Sequence, residues 1–390
     1  MKIQSVQLYR VSLPTRRVHR WRTLTESIGS YILLRLTSAD GIDGWGEATA
    51  LGSWGGDHGR HYGEPPAHVW QVLTELVAPV AVGREFVDRH ALLAEANSVV
   101  RGHPYAKTAF EGALLDLVAR SCGVPVYELL GGRRRQRIDI AHSIGLLAND
   151  DALAEARQIA GEGFRTVKIK VGEDPERDVA LLRALHSELG GKVDLAVDAN
   201  QGWGDAVQAE RVLRRLHDVP LRYVEQPVEG LHQLELLAAR VPFPVMADES
   251  MWNAYDMAEV ARGDMVRLAS VYTSKAGGLH NALAADAVAT AFGIGTNVNG
   301  SGETGVGNLA NVHLAACMQS LREGCVVPIS RRAEDRGAAV GGAMYTDDVL
   351  AESMTVIDGS IVVPDGPGWG IEVDLDKLDS YTTARAEVAV

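Results

Sequence analysis

Cysteine is scarce. The 390 residues contain three, Cys122, Cys317 and Cys325, an odd number with no C-x-x-C spacing. A disulfide framework and a thiolate zinc site are thereby not expected, and a reducing, cytoplasmic setting is. Long apolar runs are missing as well. No stretch approaches the roughly 18 apolar residues of a membrane span. The opening MKIQSVQLYRVSLP alternates apolar and polar residues, so no signal peptide is expected. Positive charge is in deficit: 38 Lys and Arg against 51 Asp and Glu leave a net charge of −13. That balance does not suit a nucleic-acid phosphate backbone. Low-complexity segments are absent too.

What is present is an ordinary globular mixture, 46% hydrophobic and 23% charged. At about 100–200 residues per domain, the length suits a large barrel with a smaller companion. Residues 2–13, 30–37 and 43–48 alternate as strands, with a turn at Ala39-Asp40-Gly41. Residues 51–66, LGSWGGDHGRHYGEPP, form a long Gly-rich loop, and such loops are usually functional. Helices follow over 67–121; Phe110, Ala113, Leu114 and Leu117 share one helical face. From about residue 137 short apolar strands alternate with charged helices. Strands are expected over 138–146, 166–172, 194–200, 222–227, 245–250, 265–272, 293–300 and 325–330. Eight strands, each followed by a helix or by the final segment, predict an α/β protein built on a (β/α)₈ barrel, TIM-like. We expect an α+β capping domain over 1–125 and the barrel over 126–355. The segment 356–390, loop and strand-like, would pack back on the cap.

The ionisable residues stand at strand ends. In TVKIKV, Val167, Ile169 and Val171 share one face and Lys168 and Lys170 the other. The apolar face meets the helices, so both lysines point into the barrel mouth. Asp198, Glu225 and Asp248 then follow Lys170 at intervals of 198 − 170 = 28, 225 − 198 = 27 and 248 − 225 = 23 residues. Each interval is about one β/α unit, which places the three carboxylates on successive strands at the C-terminal rim. Carboxylates so close repel unless a cation lies between them. An all-oxygen set suits Mg²⁺, with Mn²⁺ as a substitute.

K-x-K on the second barrel strand, D-A-N on the third, V-E-Q-P on the fourth and A-D-E-S on the fifth resemble the enolase superfamily. Within the mandelate racemase/muconate lactonizing family, the likeness is to the muconate-lactonizing subgroup. It covers nearly the whole chain, including GIDGWGEATALG (41–52), AFEGALLDLVARSCGVPVYELLGG (109–132), SKAGGL (274–279), GETGVGNLANVHLAA (302–316) and PGWGIEVD (367–374). The resemblance implies that Asp198, Glu225 and Asp248 ligate Mg²⁺, with Glu249 beside them. Lys170 would remove the proton α to a substrate carboxylate, and Lys168 would lie between base and carboxylate. A second ammonium and a divalent cation nearby help a lysine to release its proton. The subgroup usually carries another lysine on the sixth strand, in K-x-x-K-x-G-G. Here Tyr272 takes the first position of that pattern and Lys275 the second. A mandelate-racemase-like His on the seventh strand is absent; Asn297 and Asn299 stand there.

Other positions join the candidate set as substrate-facing or supporting residues: Asn200, Glu303, Trp54, His58 and Arg20. The turn GSGETG (300–305) precedes a helix and is expected to hold a substrate anion, with Glu303 at the rim. Arg16, Arg17, His19, Arg20 and Arg22 crowd the first capping loop, which points to an anionic or polar substrate. Asp57, His58 and His61 have metal-site spacing but are expected to face substrate or solvent. The basic run GGRRRQR (131–137) is expected to be a solvated face. The implied activity is Mg²⁺-dependent enediolate formation followed by elimination (dehydratase) or cycloisomerisation of a small carboxylate, in a homo-oligomer. The alternatives are a racemase or epimerase, a Schiff-base aldolase, and a non-catalytic small-acid binder. EDTA sensitivity and borohydride trapping separate them.

Overall fold

The computed structural model describes residues 2–24, 27–331 and 339–388. The first three strands, β1 (Ile3–Val11), β2 (Ile32–Ser38) and β3 (Asp43–Ala48), form an antiparallel meander. The helix Pro104–Cys122 packs across it and is buried along most of its length. Gly46 makes the approach possible: a Cβ there would overlap the Ala109 carbonyl oxygen. Residues 49–65 are without helix or strand, as the Gly-rich composition predicts.

After β4 (Arg137–Asp139), seven parallel strands follow in chain order: β5 (Ala141–Ile144), β6 (Thr166–Lys170), β7 (Asp194–Asp198), β8 (Leu221–Glu225), β9 (Val245–Ala247), β10 (Leu268–Val271) and β11 (Gly295–Val298). Helices separate them, and several begin where the sequence supplies a cap. Asp174, Asp205 and Asn253 each accept two backbone N–H groups at a helix start. Between sheet and helices lies one large apolar core; a second lies under the cap. Ala196, Tyr223 and Met246, with Leu268, plug the barrel interior.

The expected eighth strand, 325–330, is not a regular ladder. Cys325 bridges to Ile140 and Val326 to Asn299, both in parallel sense, so 325–326 closes the ring by single bridges. Pro328 then interrupts, since it has no N–H to donate. The chain turns away into β12 (Ile329–Ser330), which pairs with β13 (Ala343–Tyr345). Next, β14 (Val356–Ile357) and β15 (Ser360–Val362) add to β4 as a small antiparallel sheet. Finally β16 (Thr382–Val388) pairs antiparallel with β1, giving the cap the order β16-β1-β2-β3. The stretch 364–378, expected to be loop and strand-like, instead leads into the helix Leu375–Tyr381, because Asp374 caps the N–H groups of Asp376 and Lys377. No helix among the described residues is long and apolar enough to cross a membrane.

Candidate active site

The strand alternation brings the predicted residues together. Lys168 and Lys170 project from β6, Asp198 ends β7, Glu225 ends β8, and Asp248 follows β9. Oxygens of the three carboxylates lie within 4.8 Å of one another, and all three are fully buried. Lys168 Nζ donates to Glu225 Oε1 at 2.6 Å and lies 3.0 Å from Asp198 Oδ2. Lys170 Nζ donates to Asp198 Oδ2 at 2.6 Å and to Asn200 Oδ1 at 2.9 Å. Its ammonium stands 5.4 Å from the ring centre of Trp21, a cation–π contact from the first capping loop. The Asn200 amide passes on to Glu249 Oε1 at 2.9 Å. Asn299 donates to Glu225 Oε1 at 3.2 Å while its own oxygen holds Val326 N–H, which ties the closing segment to the carboxylate layer.

The far side of the ring is occupied differently. Tyr272 OH donates to Asp248 Oδ2 at 3.2 Å. Lys275 does not open into the cavity: Nζ is fully buried and its three protons go to Asp248 O, Asp248 Oδ1 and Ser270 O, at 2.9, 2.5 and 2.8 Å. Its ammonium also lies 4.2 Å from the Tyr272 ring centre. Burial, reinforced by Asp248 and the other carboxylates, pushes the Tyr272 phenol well above its ordinary range. It stands there as a proton donor.

Four carboxyl groups, counting Glu249, face three ammoniums, and the shortage of positive charge is visible. Burial raises Glu225 to about 8 against the pull of Lys168, with Asp198 and Asp248 adding to the rise. Burial would raise Asp198 too, but Lys168 and Lys170 hold it well below the usual carboxylate range. Glu225 Oε2 is buried without a hydrogen-bond partner, as is Glu249 Oε2. A hard dication would supply the missing charge and take the orphaned Glu225 oxygen, so the residues fit one.

Some expectations for the remaining candidates need correction and others agree with the structure. The N-terminus of the helix Gly305–Cys317 is not free for a substrate anion: Glu47 from β3 accepts Thr304 N–H and Gly307 N–H, and Asp348 accepts Gly305 N–H. Glu303 lies buried next to Glu47, neither of its oxygens partnered. His58 is exposed, its backbone N–H held by Glu229. Arg20 pairs with Glu173 at 3.1 Å on the surface. Asn297 lies two residues before Asn299, its buried amide unpartnered. Asp57, His58 and His61 diverge. Asp57 Oδ1 receives Gln201 Nε2, Gly230 N–H and Ser250 Oγ at 3.3, 3.0 and 3.0 Å. His61 meets Asp256 at 2.9 Å and stacks on Trp252. The basic run 131–137 is only partly solvated: Arg134 and Arg135 bond the last carbonyls of the helix Gly305–Cys317, where the helix dipole is negative.

Trp54 belongs to the site through its neighbours. Its ring stacks on Tyr272 at 5.5 Å and on Trp252 at 5.6 Å. Two contributors escaped sequence reasoning. Trp21, in the loop whose charges were noticed, covers Lys170. Gln226, next to Glu225, accepts Asp248 N–H and Ser250 N–H and donates to Ser250 Oγ, locking the fourth strand end to the fifth. Its backbone is left-handed, φ 34°.

Residues 5–131 match the mandelate racemase/muconate lactonizing enzyme N-terminal domain, and 151–377 match the enolase C-terminal domain-like family. The chain is 30% identical to muconate cycloisomerase 1 of Rhodococcus opacus over 389 residues, 98% of this chain and 99% of that protein. It is also 30% identical to L-Ala-D/L-Glu epimerase of Bacillus subtilis over 376 residues, 95% of this chain and 97% of that protein. The crystal structure of muconate lactonizing enzyme from Pseudomonas putida superposes with a TM-score of 0.86 at 27% identity, covering 98% of this chain and all of that one.

Proposed function

The chain belongs to the mandelate racemase/muconate lactonizing enzyme family of the enolase superfamily, and from that premise we propose that it is a Mg²⁺-dependent enzyme in which Lys170 removes the proton α to a substrate carboxylate. Asp198, Glu225 and Asp248 would hold the ion. When bound, Mg²⁺ offsets the negative charge that gathers on the substrate carboxylate as the proton leaves.

The chain's own groups divide the remaining work. Lys170 is the site ammonium with the largest share of open surface: its side chain is 11% exposed, against 3% for Lys168 and 0% for Lys275. Asn200 and the Trp21 ring fix where its Nζ points. Lys168 spans Asp198 and Glu225 and keeps two ligands in register. Lys275 does the same for Asp248 from behind.

The observation that carries the choice of reaction is the lopsided placement of amines. β6 and β10 stand on opposite walls of the barrel. Lysines face the cavity from β6, and a phenol faces it from the end of β10. Stereochemical inversion needs a matched acid and base on the two sides, and a lysine facing a phenol is a poorly matched pair. Elimination and ring closure need one base, with Tyr272 or Lys168 able to protonate a departing hydroxyl. We therefore assign net elimination or cycloisomerisation of a small carboxylic acid, with dehydration of a hydroxy acid slightly favoured. The similarity to L-Ala-D/L-Glu epimerase favours epimerisation as the second reading.

Single enantiomers from a panel of acids, incubated with enzyme and Mg²⁺ in D₂O and followed by NMR, test both readings. The expected result is α-deuterium incorporation together with an alkene or lactone. Tyr272→Phe should slow product formation more than exchange. Full deuteration with inversion, no elimination product, and loss of inversion in Tyr272→Phe would establish a Lys/Tyr racemase instead.

A further inference from the structure

We propose that the outer side of β16 pairs with the same strand of a second copy of this chain, antiparallel about a two-fold axis at Ala386, so that two cap sheets join into one.

β16 is the last strand of the cap sheet, and among the described residues nothing pairs with its outer side. Strands in that position are commonly blunted by lysine, proline or a bulge. The segment TTARAEV has neither lysine nor proline. Its one irregularity comes at the start, where Thr383 is skipped between the Ala384–Arg10 and Thr382–Val11 pairs. Residues 384–388 continue as regular strand.

The direction of each backbone group follows from the alternation of an antiparallel ladder. Val11 and Tyr31 exchange both of their backbone hydrogen bonds, so the odd-numbered residues of β1 bond β2. The even-numbered ones bond the other side, as Ser12 N–H does to Tyr381 O. Arg10, Leu8 and Val6 stand opposite Ala384, Ala386 and Val388. Arg385 and Glu387 are left with N–H and C=O directed outward.

A second β16 can bond these groups only if outward residues meet outward residues. Its symmetric registers then set Arg385 on Arg385, Glu387 on Glu387, or Arg385 on Glu387. The first two bring like charges face to face; the third makes an opposite-charge pair on each side of the axis. Both side chains are exposed. On its own copy Arg385 reaches Asp379 and lies 5.6 Å from the Tyr9 ring centre. Glu387 has no partner among the described residues. On the opposite face, the same register sets Ala384 against the partner's Val388 and Ala386 against its own mate. Ala386 and Val388 already pack on the core under the cap, together with Leu73 and Val77. Leu76, in that same helical turn, is 40% exposed. Backbone direction, charge and apolar face thus select one register.

Such a seam is short against the roughly 800 Å² per partner of a standard interface, so a micromolar dissociation constant is expected. Sedimentation of the full chain from about 1 to 200 µM reads it. Arg385→Glu and Glu387→Arg each put like charges opposite on both sides of the axis. Each should weaken pairing by about tenfold or more, with the melting temperature unchanged. The double reversal restores opposite charges and should return the constant to within about threefold of wild type. Glu387→Pro removes an outward N–H without touching the bonds to β1, and should abolish pairing. If the wild type forms a larger assembly, the single variants should halve its mass and the double reversal should restore it. A wild type that stays monomeric at about 200 µM overturns the proposal. So do single reversals that pair as well as wild type, or a double reversal no better than the singles. Should Arg385→Glu fail to fold beside Asp379, Glu387→Arg and Glu387→Pro decide, and unchanged assembly in both overturns the proposal.

Discussion

Replacing Asp57 by alanine tests whether the 51–63 loop is a fixed roof or a loose cover. Asp57 is 7% exposed, and one of its oxygens holds three donors from three different segments, at 3.0 to 3.3 Å. Gln201 is partly exposed and can turn to water, so its loss is small. Gly230 is partly exposed as well, whereas Ser250 is buried and its Oγ–H has no such escape. A buried donor left unpaired costs about 1–3 kcal/mol, so Asp57→Ala should weaken the attachment by about 1–3 kcal/mol. Asp57→Asn keeps an oxygen in place and loses only the charge assistance, about 1 kcal/mol. At about 1.4 kcal/mol per factor of ten, local opening in the alanine variant should speed backbone hydrogen exchange over 51–63 by roughly 5- to 150-fold. Mass spectrometry of hydrogen exchange reads this directly. Because Trp54 rides on the same loop and stacks on Tyr272, its fluorescence should change in parallel. Equal protection in the alanine and asparagine variants, or no change in either, refutes the reasoning.

Three further outcomes are expected. Lys170→Ala should lower α-hydrogen exchange by about 10³-fold or more while the fold survives; wild-type exchange in that variant would place the base elsewhere. Asp198→Asn, Glu225→Gln and Asp248→Asn should each weaken Mg²⁺ binding by about tenfold or more in calorimetric titration, with melting curves showing a folded chain; unchanged affinity removes that residue from the ligand set. Glu303→Gln should change stability in a pH-dependent way. Burial raises Glu303 from 4.5 to about 7, and its charge is felt by Glu47 beside it. The folded state therefore holds a proton that the unfolded chain releases, and the wild type loses stability as pH climbs from about 4.5 through about 7. The span, 7 − 4.5 = 2.5 units, corresponds to about 3 kcal/mol. Urea midpoints should match wild type near pH 4.5 and favour Glu303→Gln above pH 7.5; a constant offset contradicts this.

The barrel strand ends were readable because they obey a local rule. A parallel strand buried on both faces admits charge only where it opens on the mouth, so K-x-K and three carboxylates at unit spacing announce themselves. What escaped depends on distant partners. Glu47 plugs a helix terminus from 257 residues away, and no pattern around GSGETG reveals that the site is already filled. Arg134 and Arg135 read as solvated because their acceptors, the carbonyls near residue 317, lie some 180 positions along the chain. Gln226 carries no charge to draw the eye, although its amide joins two strand ends. Trp21 is one aromatic in a loop crowded with arginines, and only the fold lays it over Lys170. The eighth strand failed as a ladder for a local reason visible in hindsight, Pro328 in its middle.

The pairing of β16 with β1 has a consequence for how the molecule is made. Val6 meets Val388, a separation of 388 − 6 = 382 residues. At about 5–20 residues per second, a ribosome needs roughly 20–80 seconds between synthesising the two. Through that interval β1 has β2 on one side and an open row of backbone donors and acceptors on the other. The barrel, whose neighbouring strands are close in sequence, emerges and can close within the same period. Assembly is thereby ordered in time: the catalytic barrel first, the seam of the cap last. A chain stalled before residue 382 would present that bare edge to its neighbours, which makes this seam the place where aggregation during synthesis should begin.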